Sequence, residues 1–296
     1  MRAVALLGLD TVTWRVNHEP VAFMGGGRAL LLQVAHPLVA AGVQQHSNYE
    51  KDPWGRLYGT LDTVIKIVFG DVERSEQAAT RLRRRHDQVN GVSQDGVAYD
   101  AHDPELLLWV WATLVDTARL LYERCVRPLS DEERERYYAE QKLFAYACGV
   151  PPGACPDRHA DFVAYFERTV ADELRVTEGA QAVAHSLVHP PIPRPLRPLL
   201  APTLLVTAGL LPAHVRAEYG FAWGPRRQRL LEAWLTGVRL AMRLVPRAVR
   251  ALPVELTATG HLEWPRTAGS SGLPPLPRLR LRPTDGRPAP AVTAPP

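Results

Sequence analysis

The sequence predicts an all-α fold, and three observations carry that expectation. Between its breaks nearly every segment spaces apolar residues at three- and four-residue steps, the period of a helix face. No run sustains the two-residue alternation of a half-buried strand. Glycine and proline fall where such helices would stop. In order, Gly25-Gly26-Gly27 opens a first helix, Arg28 to Gln45, interrupted at Pro37. A second runs from Asp52-Pro53 to about Phe69 and a third from Glu73 to Asn90, followed by Gly91. Asp103 is a natural N-cap and Pro104 suits the first helical position, so a fourth helix follows through Glu105–Leu121. Leu106, Leu107, Leu108, Trp109, Val110 and Trp111 make it apolar all round, which predicts a central buried helix. Further helices are expected over Asp131–Cys148, stopped by Gly149-Val150-Pro151-Pro152, then Arg158–Leu174, Pro202–Leu210 and Arg226–Val245. His189 to Pro202 holds six prolines and reads as an extended connector. Residues 1–266 form one helical domain in this reading. Residues 267–296, proline-rich with few large apolar groups, form a disordered tail.

Composition excludes several classes. Of 296 residues, 46% are hydrophobic and 22% charged, which is ordinary for a globular chain. The net charge of +4 invites a nucleic-acid reading, but only Lys51, Lys66 and Lys142 are lysines. The densest basic run, Arg81 to Arg85, is broken by Leu82 and flanked by Glu73, Glu76 and Asp87, as on a solvated helix face. Nucleic-acid binding is therefore not expected. Cys125, Cys148 and Cys155 are odd in number and lack a C-x-x-C pair, which argues against a disulfide framework, a zinc ribbon and covalent c-type haem. Met1 to Asp10 shows no small-residue cleavage site, and no window of 18 uncharged apolar residues exists. A cytoplasmic protein without a transmembrane segment is expected.

Several sites can be set aside. The triple glycine Gly25–Gly27 lacks the third glycine of a dinucleotide loop and reads as a flexible start to a helix. Gly269-Ser270-Ser271-Gly272 has no strand–turn–helix around it. There is no Glu-x-x-His and no His-Glu-x-x-His. What remains is His36, His46 and His86. Ala78, Ala79, Leu82, His86 and Val89 share one helical stripe, so His86 faces inward with four apolar residues, and Arg83 lies one turn before it. An inward imidazole must satisfy its nitrogens through hydrogen bonds or a metal. A core histidine bonded to a neighbouring helix and a haem ligand share this pattern, and spacing does not separate them.

Arg83-x-x-His86-x-x-Val89-x-Gly91, preceded by Arg56-x-x-x-Thr60, resembles the signature of the family that contains latex-clearing protein (rubber oxygenase) and the MpaB oxygenases of fungal meroterpenoid pathways. Gln33-Val34-Ala35-His36-Pro37, His46-Ser47, Asp52-Pro53-x-Gly55-Arg56 and Tyr99-x-Ala101-x-Asp103-Pro104 support the resemblance in order and spacing. It covers roughly Pro20 to Pro152 well and continues more loosely to about Pro253.

The resemblance implies a helical fold around non-covalent haem b, and reaction of dioxygen with a hydrophobic, isoprenoid- or polyene-like small molecule, with a possible electron donor. Residue by residue, it implies His86 as the axial iron ligand and Arg56, Thr60 and Arg83 around the haem. Within that mechanism His46 and Thr60 are the candidate catalytic hydrogen-bonding groups on the distal side; the alternatives are a structural His46 and a Thr60 that back-bonds to the helix carbonyl of Arg56. Latex-clearing proteins carry a lysine immediately before the threonine; here that position is Gly59, so rubber is not the expected substrate. The other readings are a haem or lipid carrier without turnover, and a haem-free helical scaffold that recruits partners through its arginines and proline-rich tail.

Overall fold

The computed structural model describes residues 8, 10–47, 49, 51–190, 192–263 and 277–279, with backbone alone at 53 and 54. The chain starts with helix α1 (Val12–Asn17), capped by Thr11 Oγ1, which accepts from Trp14 N at 3.0 Å. A 3-10 turn, Pro20–Gly25, leads into α2 (Gly26–Ala35) and α3 (Pro37–His46). Between them His36 takes φ −76°, ψ 120°, the extended shape that a following proline ring imposes.

Helices α4 (Pro53–Phe69) and α5 (Val72–His86) form a hairpin, with Asp52 and Asp71 as N-caps at 2.9 and 2.8 Å. Strands β1 (Asn90–Val92) and β2 (Ala98–Asp100) pair antiparallel, with Gly91 opposite Tyr99. Next come α6 (Pro104–Cys125), capped by Asp103, and α7 (Asp131–Cys148), which starts in a Ser130–Glu133 capping box. Helix α7 ends at Gly149, whose φ of +106° only glycine adopts cheaply. Then follow α8 (His159–Asp172), α9 (Glu178–Val188), α10 (Ala201–Gly209), α11 (Ala213–Glu218), α12 (Pro225–Leu244) and α13 (Arg247–Ala258). Strands β3 (Leu262–Glu263) and β4 (Arg278–Leu279) close the described chain.

Helix α6 runs through the middle, as its all-round apolar sequence predicts, packed by α1, α2, α7, α12 and the 3-10 turn. Trp109 and Trp111 are buried, and their indole nitrogens donate to Leu32 O and Gln141 O at 3.2 and 3.1 Å. Among the described residues no helix is long and apolar enough to cross a membrane.

The all-α expectation holds, with local differences. The β1–β2 ladder was not foreseen; it is three residues per strand around a turn with Gly96 at φ +78°, too short to show alternation. The supposed connector contains a 3-10 helix, Arg194–Leu200. Pro195 and Pro198 fit there because the proline φ lies within the 3-10 range. Helix α9 was missed because small residues (Gly179, Ala180, Ala184) bury its inner stripe, and α13 because it contains Pro253. The expected tail, 267–296, lies mostly outside the described residues; its piece Arg278–Leu279 pairs with Leu262–Glu263.

Candidate functional site

Helices α2, α4, α6, α9 and α10 enclose a cavity of about 350 Å³. That is the scale of a small-molecule site, roughly 300–1,000 Å³. One wall is the apolar stripe of α4, Leu57, Leu61, Val64 and Val68, interrupted by Arg56 and Thr60. Another part of the lining is main chain and small side chains: Gly25, Gly26 and Ala29. The triple glycine is therefore a packing device, not a flexible start. A Cβ on Gly25 would collide with Thr117 Cγ2 and lie 2.6 Å from Leu121 Cδ1, and one on Gly27 would collide with Thr207 Oγ1. Only glycine lets α6 and α10 approach this closely.

Of the residues singled out in the sequence, Arg56 and Thr60 line this cavity, one turn apart. Thr60 Oγ1 donates to Arg56 O at 2.9 Å, so its proton is committed to the helix and its lone pairs remain as acceptors. Enclosure by protein, and then the charge of Arg85, push the Arg56 pKa below the ordinary arginine value; the guanidinium stays cationic near neutrality.

His86 is the last residue of α5 and is half-buried, on the stripe that Ala78, Ala79 and Leu82 begin. Its Nδ1 is buried without a hydrogen-bond partner. Burial first, then the neighbouring His102 and Arg56, lower its pKa to about 4, so the ring is neutral at pH 7. His102 stands edge-on at 5.9 Å between ring centroids, itself paired with Asp87 at 2.8 Å. His86 is not among the residues lining the cavity; Arg56 links the two, facing the void while its charge acts on the imidazole.

Arg83 and His46 lie elsewhere. Arg83 is exposed and donates to Ala147 O at 3.1 Å and Thr80 Oγ1 at 3.2 Å, turned towards the end of α7. His46 is exposed, with Nε2 at 3.1 Å from Asn90 O and its ring edge-on to Tyr99. The β1–β2 ladder holds it there, because α3 ends against that ladder. A Cβ on Gly59 would meet nothing within 4 Å, so the position before Thr60 faces open space.

Sequence reading missed what supports the cavity from behind. Arg28 is buried; its Nε donates to Leu210 O at 2.8 Å and one terminal nitrogen to Thr117 Oγ1 at 2.5 Å. Its other terminal nitrogen pairs with Asp116 at 2.8 Å. Thr117 carries this network to the cavity wall. A lone arginine in Gly25–Ala35 and a lone aspartate in the apolar middle of α6 were the available signal, since buried charges demand partners. Thr207 Oγ1 and Gln141 Oε1, both on lining residues, are buried without partners.

Among the described residues no group of three or more His, Cys, Asp or Glu side chains is placed to hold a bare metal ion. A neutral, half-buried imidazole with an unpartnered nitrogen, coupled to an arginine that lines an apolar cavity, has the donor chemistry of a single axial ligand to a metal inside a larger anionic cofactor.

The comparisons with known proteins agree with this architecture. Mb2261 of Mycobacterium bovis and Rv2237 of Mycobacterium tuberculosis, both named as uncharacterised proteins, are each 32% identical to this chain over 232 residues. The match covers 73% of this chain and 87% of theirs. Latex clearing protein in its closed state superposes with a TM-score of 0.51 at 16% identity, covering 84% of this chain and 73% of that one, a likeness of fold. The sequence profile of the ER-bound oxygenase mpaB/B'/Rubber oxygenase catalytic domain matches residues 14–246, and the chain belongs to that oxygenase family.

Proposed function

We propose that the protein is a haem b-dependent oxygenase that acts with dioxygen on a hydrophobic, isoprenoid- or polyene-like small molecule. The observation that carries this reading is the neutral imidazole of His86, with its orphaned Nδ1, electrostatically tied to an arginine that lines an apolar cavity. The residues fit the group: His86 would ligate the iron and Arg56 would neutralise a propionate. Haem would supply the dioxygen chemistry that side chains lack.

The chain's own residues do the rest. Leu57, Leu61, Val64 and Val68 bind apolar substrate and exclude water. Thr60, its proton held by the helix, offers an acceptor on the same wall. Arg83 and His46 brace the ends of α7 and α3 in this reading and do not reach the cavity. Free Cys125, Cys148 and Cys155 suit a reducing, cytoplasmic compartment.

The test is a visible spectrum of the purified protein after reconstitution with haemin. A Soret band is expected in the wild type and its loss in a folded His86→Ala variant. A wild type that takes up no haem, or a variant with an unchanged spectrum, would overturn the proposal. Oxygen uptake with isoprenoid and polyene probes, with and without a chemical reductant, then separates an oxygenase from a haem or lipid carrier.

A further inference from the structure

Helix α12 is apolar over a buried face and over an exposed one beside it. Its inner side is accounted for: Leu231 and Leu235 are buried with Val206 of α10, and Val238 and Met242 pack beside them. Its outer side carries Leu230 (60% exposed), Trp234, Leu240 and Leu244 (76% exposed), with Ala233, Gly237 and Ala241 between them. These positions fall on one broad face turned away from the core. A helix facing water has no need of a second apolar face.

Charge narrows what could cover it. Helix α12 holds five arginines, at 226, 227, 229, 239 and 243, against one acid, Glu232. Glu232 is already paired with Arg124 at 2.5 Å. Arg226, Arg229 and Arg243 are exposed beside the apolar stripe. A second copy of this face would bring like charges together. The chain's own residues from 264 onwards carry Arg266, Arg278, Arg280, Arg282 and Arg287 against Asp285 alone, again the same sign. A nucleic acid matches the charge but not exposed leucines and a tryptophan. Leucine and tryptophan on one stripe with flanking arginines are what a helix lying in a lipid interface presents.

We propose that the outer face of α12 docks on a membrane surface rich in anionic lipid. Leu230, Trp234, Leu240 and Leu244 enter the boundary between headgroups and acyl chains, and the arginine stems lie along it with their guanidinium groups on the phosphates. Helix α10 connects this face to the cavity: Val206 packs beneath α12, while Thr203 and Leu204 line the void. A lipid-dissolved ligand is thereby met one helix away from the site. The docking does not depend on haem or turnover.

The test is flotation of the full-length chain with vesicles of phosphatidylcholine alone and of phosphatidylcholine mixed with phosphatidylglycerol. The chain should float with the mixed vesicles and stay behind with the neutral ones. Leu230→Ser/Trp234→Ser/Leu244→Ser should abolish flotation with an unchanged far-ultraviolet spectrum. Arg226→Gln/Arg229→Gln/Arg243→Gln should weaken it on the order of a hundredfold, and salt should act in the same direction. Should the serine variant misfold, the glutamine variant decides. The proposal fails if the wild type floats with neither vesicle or equally with both. It also fails if the glutamine variant binds as the wild type does, or if light scattering finds a dimer that the serine variant dissolves.

Discussion

Arg28 and Asp116 meet at 2.8 Å inside the protein, where their side chains are 5% and 11% exposed. All three nitrogens of Arg28 are engaged, by Leu210 O, Thr117 Oγ1 and the carboxylate. Arg28→Met keeps much of the volume but leaves Asp116 with Arg119 alone and strips Leu210 O and Thr117 of their donor. Removing one partner of a buried pair costs about 3–5 kcal/mol. An unfolding free energy from urea titration lowered by that amount is expected; a loss below about 1 kcal/mol would show that the network contributes little.

The close approach at Gly27 makes a sharper prediction, because its neighbour can be removed. Gly27→Ala should destabilise by about 1–3 kcal/mol through collision with Thr207 Oγ1. Adding Thr207→Ala should recover most of that loss. Gly26→Ala, whose new methyl group meets nothing within 4 Å, should be neutral or slightly stabilising. Thermal melts of the four proteins check the pattern, and equal effects at Gly26 and Gly27 would refute it.

His18 should make stability pH-dependent in a defined window. Burial, and then the charge of Arg247, lower its pKa from 6.5 to about 4; its Nε2 has no hydrogen-bond partner, and Glu255 stands 3.8 Å away, largely solvated. The unfolded imidazole takes a proton near 6.5 and the folded one only near 4. Its contribution is complete above 6.5, falls as pH drops towards 4 and is flat below, a total of roughly 3 kcal/mol. The difference between wild type and His18→Phe isolates this from His86, which titrates in the same window. Parallel stability profiles of the two proteins would contradict the assignment.

The cysteines should be chemically silent in the native state. Burial pushes the Cys125 and Cys155 thiols up to about 11 and that of Cys148 to about 12, leaving almost no thiolate at neutral pH. A thiol reagent should label none quickly in buffer and all three after denaturation. Fast labelling of a native thiol would place it in a different environment.

Much of the frame was legible because its punctuation is local. Pro37, Asp103-Pro104 and Gly149 act on their own backbone, and the helices begin and end beside them. The stripe that turns His86 inward was legible for the same reason, being a property of α5 alone. What stayed hidden depends on partners far along the chain. Arg28 reads as one more arginine until Asp116, some ninety positions on, is folded beside it. His46 follows the family order, but whether it reaches the cavity depends on how α3 meets a ladder too short to announce itself. Gly25 and Gly27 look like slack until α6 and α10 are set against them.

Those glycines also determine how the chamber can be remodelled. Where Gly25, Gly26 and Ala29 form its floor, shape comes from main chain, and at Gly25 larger side chains are refused by the helix behind. Enlarging or narrowing that space therefore falls to the leucines and valines that α4 contributes to the lining. An engineer reshaping the space should randomise Leu57, Leu61 and Val64 and leave Gly25 and Gly27 untouched.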